Sequence, residues 1–526
     1  MRGKSVYLPK KPVKKSAWYK HHKWTGLILC FFMLMFCLSG IILNHRGTVR
    51  RASVSRALLP PFYRYSCWNG GLMRGAMAMD DGSRLIYGSG GVWRARGSAP
   101  QMEIDDFNGG LPVWADCRSV RAMERMPDGR IFALSAYGLY SLDGDSLWRR
   151  VEVPVAAGEA LADVTSRGDT LVVVSRSRVF LATEPFERFT AVELAAPAGP
   201  RRGTTLFRSL WRLHSGERFG LAGRLVADAV AAALIFLCLT GFTGWLLPKF
   251  RKRLGARIKK PLLFCKNWHN HIGRATIPLT LILVITGWCL RPPLMIPLVL
   301  CSTGSDAAHA QGAWSDKLRM LRHDAAEGDW LLSTSDGFFS LKNLADTPEK
   351  IDNAPPVSVM GLTVWQPDGD RRWICGSLGG MSRWDRTTGE VTDYFTGDPV
   401  KPGAGKPFGS RAVSGFSAQL GPEPVVVEYD RGTDDVAQPD SLATLPMSLW
   451  NVALEVHTGR IYFGNSATYF FTFLAGAAAV WCIWSGFKLR KGKRKSRRRA
   501  DRSFAGRRGG PQGRTGREPA EETNLA

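Results

Sequence analysis

Residues 1–23 and 249–274 contain no aspartate or glutamate, although they hold eight and nine lysines and arginines. Residues 488–526 are nearly as one-sided, with 14 Lys/Arg against four acids. These three segments carry a net +27, so the rest of the chain is close to neutral within a formal charge of +26. Basicity this segregated argues against a nucleic-acid surface. It is the pattern of membrane helices whose basic flanks stay on the cytoplasmic side. The ten cysteines show no CxxC, CxxCH or zinc-finger spacing, which argues against covalent c-type haem and iron–sulfur centres. No Gly-x-Gly-x-x-Gly follows a strand in the inner segments, which are also too short for a nucleotide-binding domain.

Long apolar runs are present at 24–43, about 225–247, about 272–290 and about 467–487. Each is long enough, or nearly so, for the ~20-residue helix that crosses a bilayer. The third is the shortest, with Arg274 and Pro278 near its start. The first run has no small-x-small cleavage site and reads as an uncleaved anchor. The expected fold class is integral membrane α-helical: four transmembrane helices, an internal two-fold repeat, and two large periplasmic β-rich blocks. The divisions are a basic cytoplasmic tail (1–23), helix 1 (24–45), a β-rich block (46–207) and helix 2 with its lead-in (208–248). A basic loop (249–266), helix 3 (267–291), a second block (292–450), helix 4 with its lead-in (451–488) and a basic tail (489–526) follow.

Within the outer blocks, runs such as Arg130-Ile-Phe-Ala-Leu-Ser135, Thr170-Leu-Val-Val-Val-Ser175 and Trp330-Leu-Leu-Ser-Thr334 read as short strands bounded by Gly, Asp and Ser. Hairpins start near 84, 129, 168, 328 and 370. That spacing suggests four-stranded units, read either as propeller-like blades or as two separate β-domains. Cys67 and Cys117 lie outside, where a bridge is possible. His309 and His323 read as surface residues.

The second half of the chain repeats the first. His22, Gly26 and Gly40 recur 247 positions later as His269, Gly273 and Gly287. His214-Ser-Gly216 recurs 243 positions later as His457-Thr-Gly459, each followed by Phe-Gly. Imidazole is a common axial ligand of haem iron and is costly to place in a bilayer without a partner. The repeat pairs His22 with His269 on the inner side and His214 with His457 on the outer side. The bland alternative for any one of them is an interfacial polar residue. His21 and His271 flank the preferred ligands and could replace either; His45, whose counterpart is Pro292, could ligate on the outer side. Asp228 lies 14 residues after His214 and on a continuous helix would face the same way. It suits proton uptake or the fixing of a ligand, against a structural hydrogen bond to a neighbouring helix. Arg218 and Arg224 could pair with haem propionates, or simply anchor the interface.

The segments Leu213-His-Ser-Gly-Glu-Arg-Phe-Gly220, Val456-His-Thr-Gly-Arg-Ile-Tyr-Phe-Gly464 and the His-xxx-Gly openings at His22 and His269 resemble the PepSY-associated transmembrane helix family. The resemblance covers the helices, about a quarter of the chain, and implies a bacterial inner-membrane protein with haem b, two copies being expected. It also implies electron delivery to ferric siderophore in the periplasm; with no nucleotide-binding domain in the inner segments, the expected donor is a quinol or a separate cytoplasmic protein. The outer blocks depart from the family's helix-plus-sheet domain in their hairpin pattern. The alternative is a non-enzymatic ligand-binding sensor or an envelope regulator. Lipid bilayer is an expected partner and nucleic acid is not.

Overall fold

The computed structural model describes residues 17–144, 146–197, 205–301, 312–358, 360–401 and 409–508. His309 and the ends of both basic tails lie outside these described residues. The chain divides into a helical unit (Met1–Leu38, Ser209–Pro297, Tyr462–Ala526) and a β unit (Ser39–Arg208, Leu298–Ile461).

Seven helices matter here: α1 (Ala17–Asn44), α2 (Leu206–His214), α3 (Gly220–Leu246), α4 (Lys259–Ala275), α5 (Ile277–Cys289), α6 (Leu449–Thr458) and α7 (Arg460–Arg508). Among the described residues, three stretches are long and apolar enough to cross a membrane: Ala17–Asn44, Glu217–Ala275 (which includes α3 and α4) and Ala467–Leu489 within α7. The expectation of four membrane-spanning helices is therefore corrected. The run at 272–290 forms only the 13-residue α5, about 20 Å long against a hydrocarbon core of about 30 Å. Pro278, at the start of α5, has no N–H to give to a preceding turn, and Pro292 and Pro293 lie just beyond its end. Aromatic side chains join the helices, as where Phe32 of α1 meets Phe471 of α7 with ring centroids 4.7 Å apart. A Cβ at Gly476 would lie 2.3 Å from the Trp288 indole, so α7 needs glycine where that ring packs.

Both outer blocks are β-rich, as expected, and they contribute to one unit. Five antiparallel four-stranded meanders span 75–106, 120–151, 161–192, 318–351 and 362–393, with a two-stranded hairpin at 413–428. Their second strands are the β-branched and aromatic runs seen in the sequence. Ile131–Ser135 and Asp329–Thr334 are buried at every position because sheet faces pack on both sides. Three of the tight turns share one device: the hydroxyls of Ser135, Thr334 and Ser377 accept from the N–H two residues on. The propeller-like expectation is corrected: apart from the Ser53–Val54 pairing with Met447–Ser448, the strands form separate open sheets in sequential order, and among the described residues no sheet closes on itself or curls. Shared cores bind neighbours. Val172 and Val174 of the third sheet pack with Leu321 and Leu332 of the fourth, so the two halves of the chain bury one core. All ten cysteines are free, and the Cys67–Cys117 bridge is not formed. His323 is partly buried against Trp330 at 5.1 Å, and is not simply a surface residue.

Candidate functional site: four histidine clamps

The histidine motifs owe their shape to two glycines each. Gly216 (φ 78°) and Gly459 (φ 81°) end the helices that carry His214 and His457. Gly220 (φ 60°) and Gly464 (φ 66°) then turn the chain into α3 and into the apolar part of α7. These left-handed conformations cost little only for glycine. The spacing His-x-Gly followed by Phe-Gly is thus a break between a histidine-bearing helix and a membrane helix. Because α2 and α3 are separate helices, the 14-residue spacing does not put Asp228 on the face of His214, contrary to the expectation from a continuous helix.

Each of the four preferred histidines rests on a Ser-Gly or Thr-Gly step of another helix. His22 Nδ1 lies 3.0 Å from Cys482 O and 3.3 Å from Ser485 Oγ. His269 Nδ1 lies 3.0 Å from Thr240 Oγ1. His214 Nδ1 lies 3.1 Å from Leu283 O and 3.2 Å from Thr286 Oγ1. His457 Nδ1 lies 3.1 Å from Ser39 Oγ. The glycine that follows each hydroxyl residue admits the ring. A Cβ at Gly486, Gly241, Gly287 or Gly40 would stand 3.1, 3.3, 2.7 or 3.2 Å from the Cε1 of His22, His269, His214 or His457.

The hydrogen bonds assign the tautomer. Ser485, Thr240 and Thr286 donate their hydroxyl protons to the carbonyls of Cys482, Phe236 and Ile282, at 2.8, 2.7 and 2.7 Å. A hydroxyl so committed can only accept from the imidazole, as can the Cys482 and Leu283 carbonyls. His22, His269 and His214 therefore carry their proton on Nδ1, and the neutral rings of His22 and His269 leave their Nε2 lone pairs available. A fixed N–H to an acceptor, with the other nitrogen bare, is how metal-ligating histidines are held. The His22 and His269 ring centroids stand 6.2 Å apart with their planes at 74°.

The other sequence candidates are placed differently. His21 and His271 are exposed, and their ring neighbours are Trp481 and Trp268, each at 5.9 Å. The carbonyl of His45 accepts from the N–H groups of Thr48 and Val49 just past the end of α1. Arg218 is exposed, while Arg224 and Asp228 are partly buried on α3. No group of three or more His, Cys, Asp or Glu placed to hold a metal ion occurs among the described residues. Sequence reasoning missed Thr240-Gly241 and Ser485-Gly486. Their signal was Thr-Gly-Phe242 recurring as Ser-Gly-Phe487 at an offset of 245, close to the offsets of the histidines.

Membrane-length helices joined by histidine clamps, with a large β unit between them in sequence, define a multi-pass membrane protein. Residues 2–247 match the family model of the PepSY-associated TM region. The matched stretch holds α1, α2 and α3 with His22, Ser39-Gly40, His214 and Thr240-Gly241; the second copy of the repeat lies beyond it. No curated protein matches the chain.

Proposed function

We propose that this chain is a b-type haem protein of the bacterial inner membrane that passes electrons to an acceptor on the outer side. Ferric siderophore iron is the favoured acceptor, and a quinol or a cytoplasmic protein the donor. The observation that carries the reading is the His22–His269 pair. Two imidazoles bound through nitrogen to one metal ion, at about 2 Å each and about 1 Å more to each ring centre, would have centroids roughly 6 Å apart. The observed 6.2 Å fits, as do the bare Nε2 atoms and glycines against both rings. When bound, a haem ligated on both sides supplies one-electron transfer with no open position for dioxygen.

The chain's own residues then do three things. His22 and His269 hold the metal; Ser485, Thr240 and the Cys482 carbonyl fix the rings; the apolar helices exclude water. The sequence repeat makes His214 and His457, with the same clamps, the corresponding candidates for a second haem. Arg218 and Arg224 are candidates for propionate pairing, and Asp228 for proton uptake. We assign the basic N-terminal segment and the basic 249–266 loop to the cytoplasmic side, and the β-rich block that lies between them in sequence to the periplasm.

Haem content is the direct test. Protein purified in detergent should give a reducible b-type spectrum, and a colourless preparation removes the proposal. Dithionite-reduced protein should then be reoxidised by ferric siderophore, with ferrous iron captured by a chelator. Reduced protein that stays reduced with siderophores, yet is oxidised by a periplasmic redox protein, removes the siderophore part alone.

A further inference from the structure

Between residues 249 and 266 the chain holds eight lysines and arginines and no acid. All eight are exposed, and among the described residues none of them forms an ion pair. Charges of one sign held this close repel one another and gather anions. The segment is folded. Short helical turns over 247–258 lead from the end of α3 into α4, and Lys249 Nζ lies 3.6 Å from the centre of the Trp245 ring.

The packing of α4 on α3 fixes its depth. A Cβ at Gly241 of α3 would stand 3.3 Å from His269 of α4, and one at Gly273 of α4 would stand 3.5 Å from Leu237 of α3. The helices are thus antiparallel, and each step back along α4 matches a step forward along α3. That register sets Lys266 level with Gly244, and Phe264 level with Leu246, where α3 ends. The first half of α4 therefore lies at the end of a membrane helix, where hydrocarbon gives way to headgroups. Lys266 is one turn from His269.

Three sectors divide α4. Leu262, Cys265, His269 and Ile272 recur at spacings of three and four and are buried or partly buried. Lys259 and Lys266, seven residues apart, share one exposed edge, and Lys260 lies on the exposed side next to it. Phe264, Trp268 and His271 form a second exposed edge, with successive ring centroids 6.2 and 5.9 Å apart. Phe264 and Trp268 are each about half exposed. Lysines beside an aromatic edge suit a bilayer surface, with rings at headgroup depth and ammonium groups on phosphate. A soluble acidic protein would use the cations and leave the rings in water.

We propose that Lys259, Lys260 and Lys266 of α4, together with the cations of 249–257, form a binding surface for anionic phospholipid headgroups. A bound headgroup offsets the crowded charge and ties the foot of α4 to the end of α3. The inference rests on the chain's being a membrane protein, and on neither the haem nor the electron acceptor.

Native mass spectrometry of the full-length protein in neutral detergent tests it, with phosphatidylglycerol and phosphatidylcholine as the probes. At low salt, phosphatidylglycerol should occupy the protein at a concentration at least about fivefold lower than phosphatidylcholine, and added salt should shrink the preference. Replacing Lys259, Lys260 and Lys266 together by glutamine should remove most of the preference. The single variant Lys266→Gln should reduce it, which keeps the test open if the triple variant does not fold. Replacing Lys491, Lys493 and Lys495 of the basic tail by glutamine removes the same charge and should leave the preference in place. Equal loss in both triple variants would mark a general attraction to a basic protein and overturn the proposal. So would equal binding of the two lipids by wild type, or a preference that the α4 substitutions leave unchanged. Polyglutamate that binds as strongly as phosphatidylglycerol and is lost with the same lysines would also overturn it, in favour of an acidic protein partner.

Discussion

His269 in the helical unit and Arg386 in the β unit are both polar side chains drawn out of water, and their partners are of different kinds. His269 is paired with the Thr240 hydroxyl, a neutral group whose own proton stays on its helix. Arg386 is paired with two carboxylates that are nearly buried. The surroundings explain the contrast. A bilayer offers no water to solvate a residual charge, so its polar groups are best neutral and tied to hydroxyls and carbonyls. The β unit can keep ions if each has a counter-ion. A signal of function therefore takes a different form in each region. Among the helices it is an imidazole held at Nδ1 by a neutral acceptor; in the β unit it would be an ion without its counter-ion.

The largest effect that could break this contrast is at the histidines. His269→Ala and His22→Ala should each remove about half of the bound haem, because one missing axial ligand disables one of the two expected sites. Haem per protein, from the reduced-minus-oxidised spectrum, measures it. Full haem in both variants would leave the clamps as helix packing only. Next in size is Arg386→Ala, which leaves Asp324 and Asp329 unpaired and should cost the β unit about 3–5 kcal/mol. Denaturant unfolding followed by tryptophan fluorescence reads this, and the haem spectrum should not change. A cost below about 1 kcal/mol would show that these buried ions do not need one another.

Glu124 sharpens the comparison with a smaller effect of definite sign. Burial raises its pKa above the ordinary carboxylate value, opposed by the Ser166 hydroxyl, which donates at 2.5 Å, and by Arg322. A raised folded pKa means that stability is fully present below the unfolded value, near 4.5, and is lost as pH rises through the folded value. Glu124→Gln keeps an acceptor for Ser166 and removes the charge. It should match wild type below pH 4.5 and melt higher than wild type at pH 8. An equal difference at both pH values would mean that the carboxylate's ionisation is not the cause.

How much was legible differs between the regions for the same physical reason. Polar residues stand out against apolar runs, so His22, His214, His269 and His457 could be found by spacing alone. Their acceptors were half-visible: Ser39-Gly40 and Thr286-Gly287 lie in the repeat, whereas Thr240-Gly241 looks like an ordinary small-residue step. The third helix misled because its hydropathy suits a span while Pro278 and Pro292-Pro293 limit its length. In the β unit the hairpins were readable from Ser, Gly and β-branched runs. The one-residue bulges at Arg121 and Arg319, in the first strands of the second and fourth sheets, were not, because one extra residue in a strand leaves no mark in composition. Nor does a sequence say which arginine has met an aspartate.

The smallest effect concerns the Thr240 hydroxyl and tests whether the clamp orients the ring or only fills space. Thr240→Val keeps the β-branched shape beside Gly241 and deletes the acceptor 3.0 Å from His269 Nδ1. One neutral hydrogen bond is worth about 1 kcal/mol, so haem should stay bound and the helices folded. The ring would lose the contact that assigns its tautomer and supports the basicity of Nε2. The midpoint potential of one haem should therefore move by a few tens of millivolts, on the order of 1 kcal/mol for a single electron, while the other stays fixed. Thr240→Ser restores the hydroxyl and should restore the potential. A packing role predicts the reverse: Val like wild type, and Ser, which lacks the methyl group, altered. The two substitutions thus separate an acceptor from a spacer at the same atom.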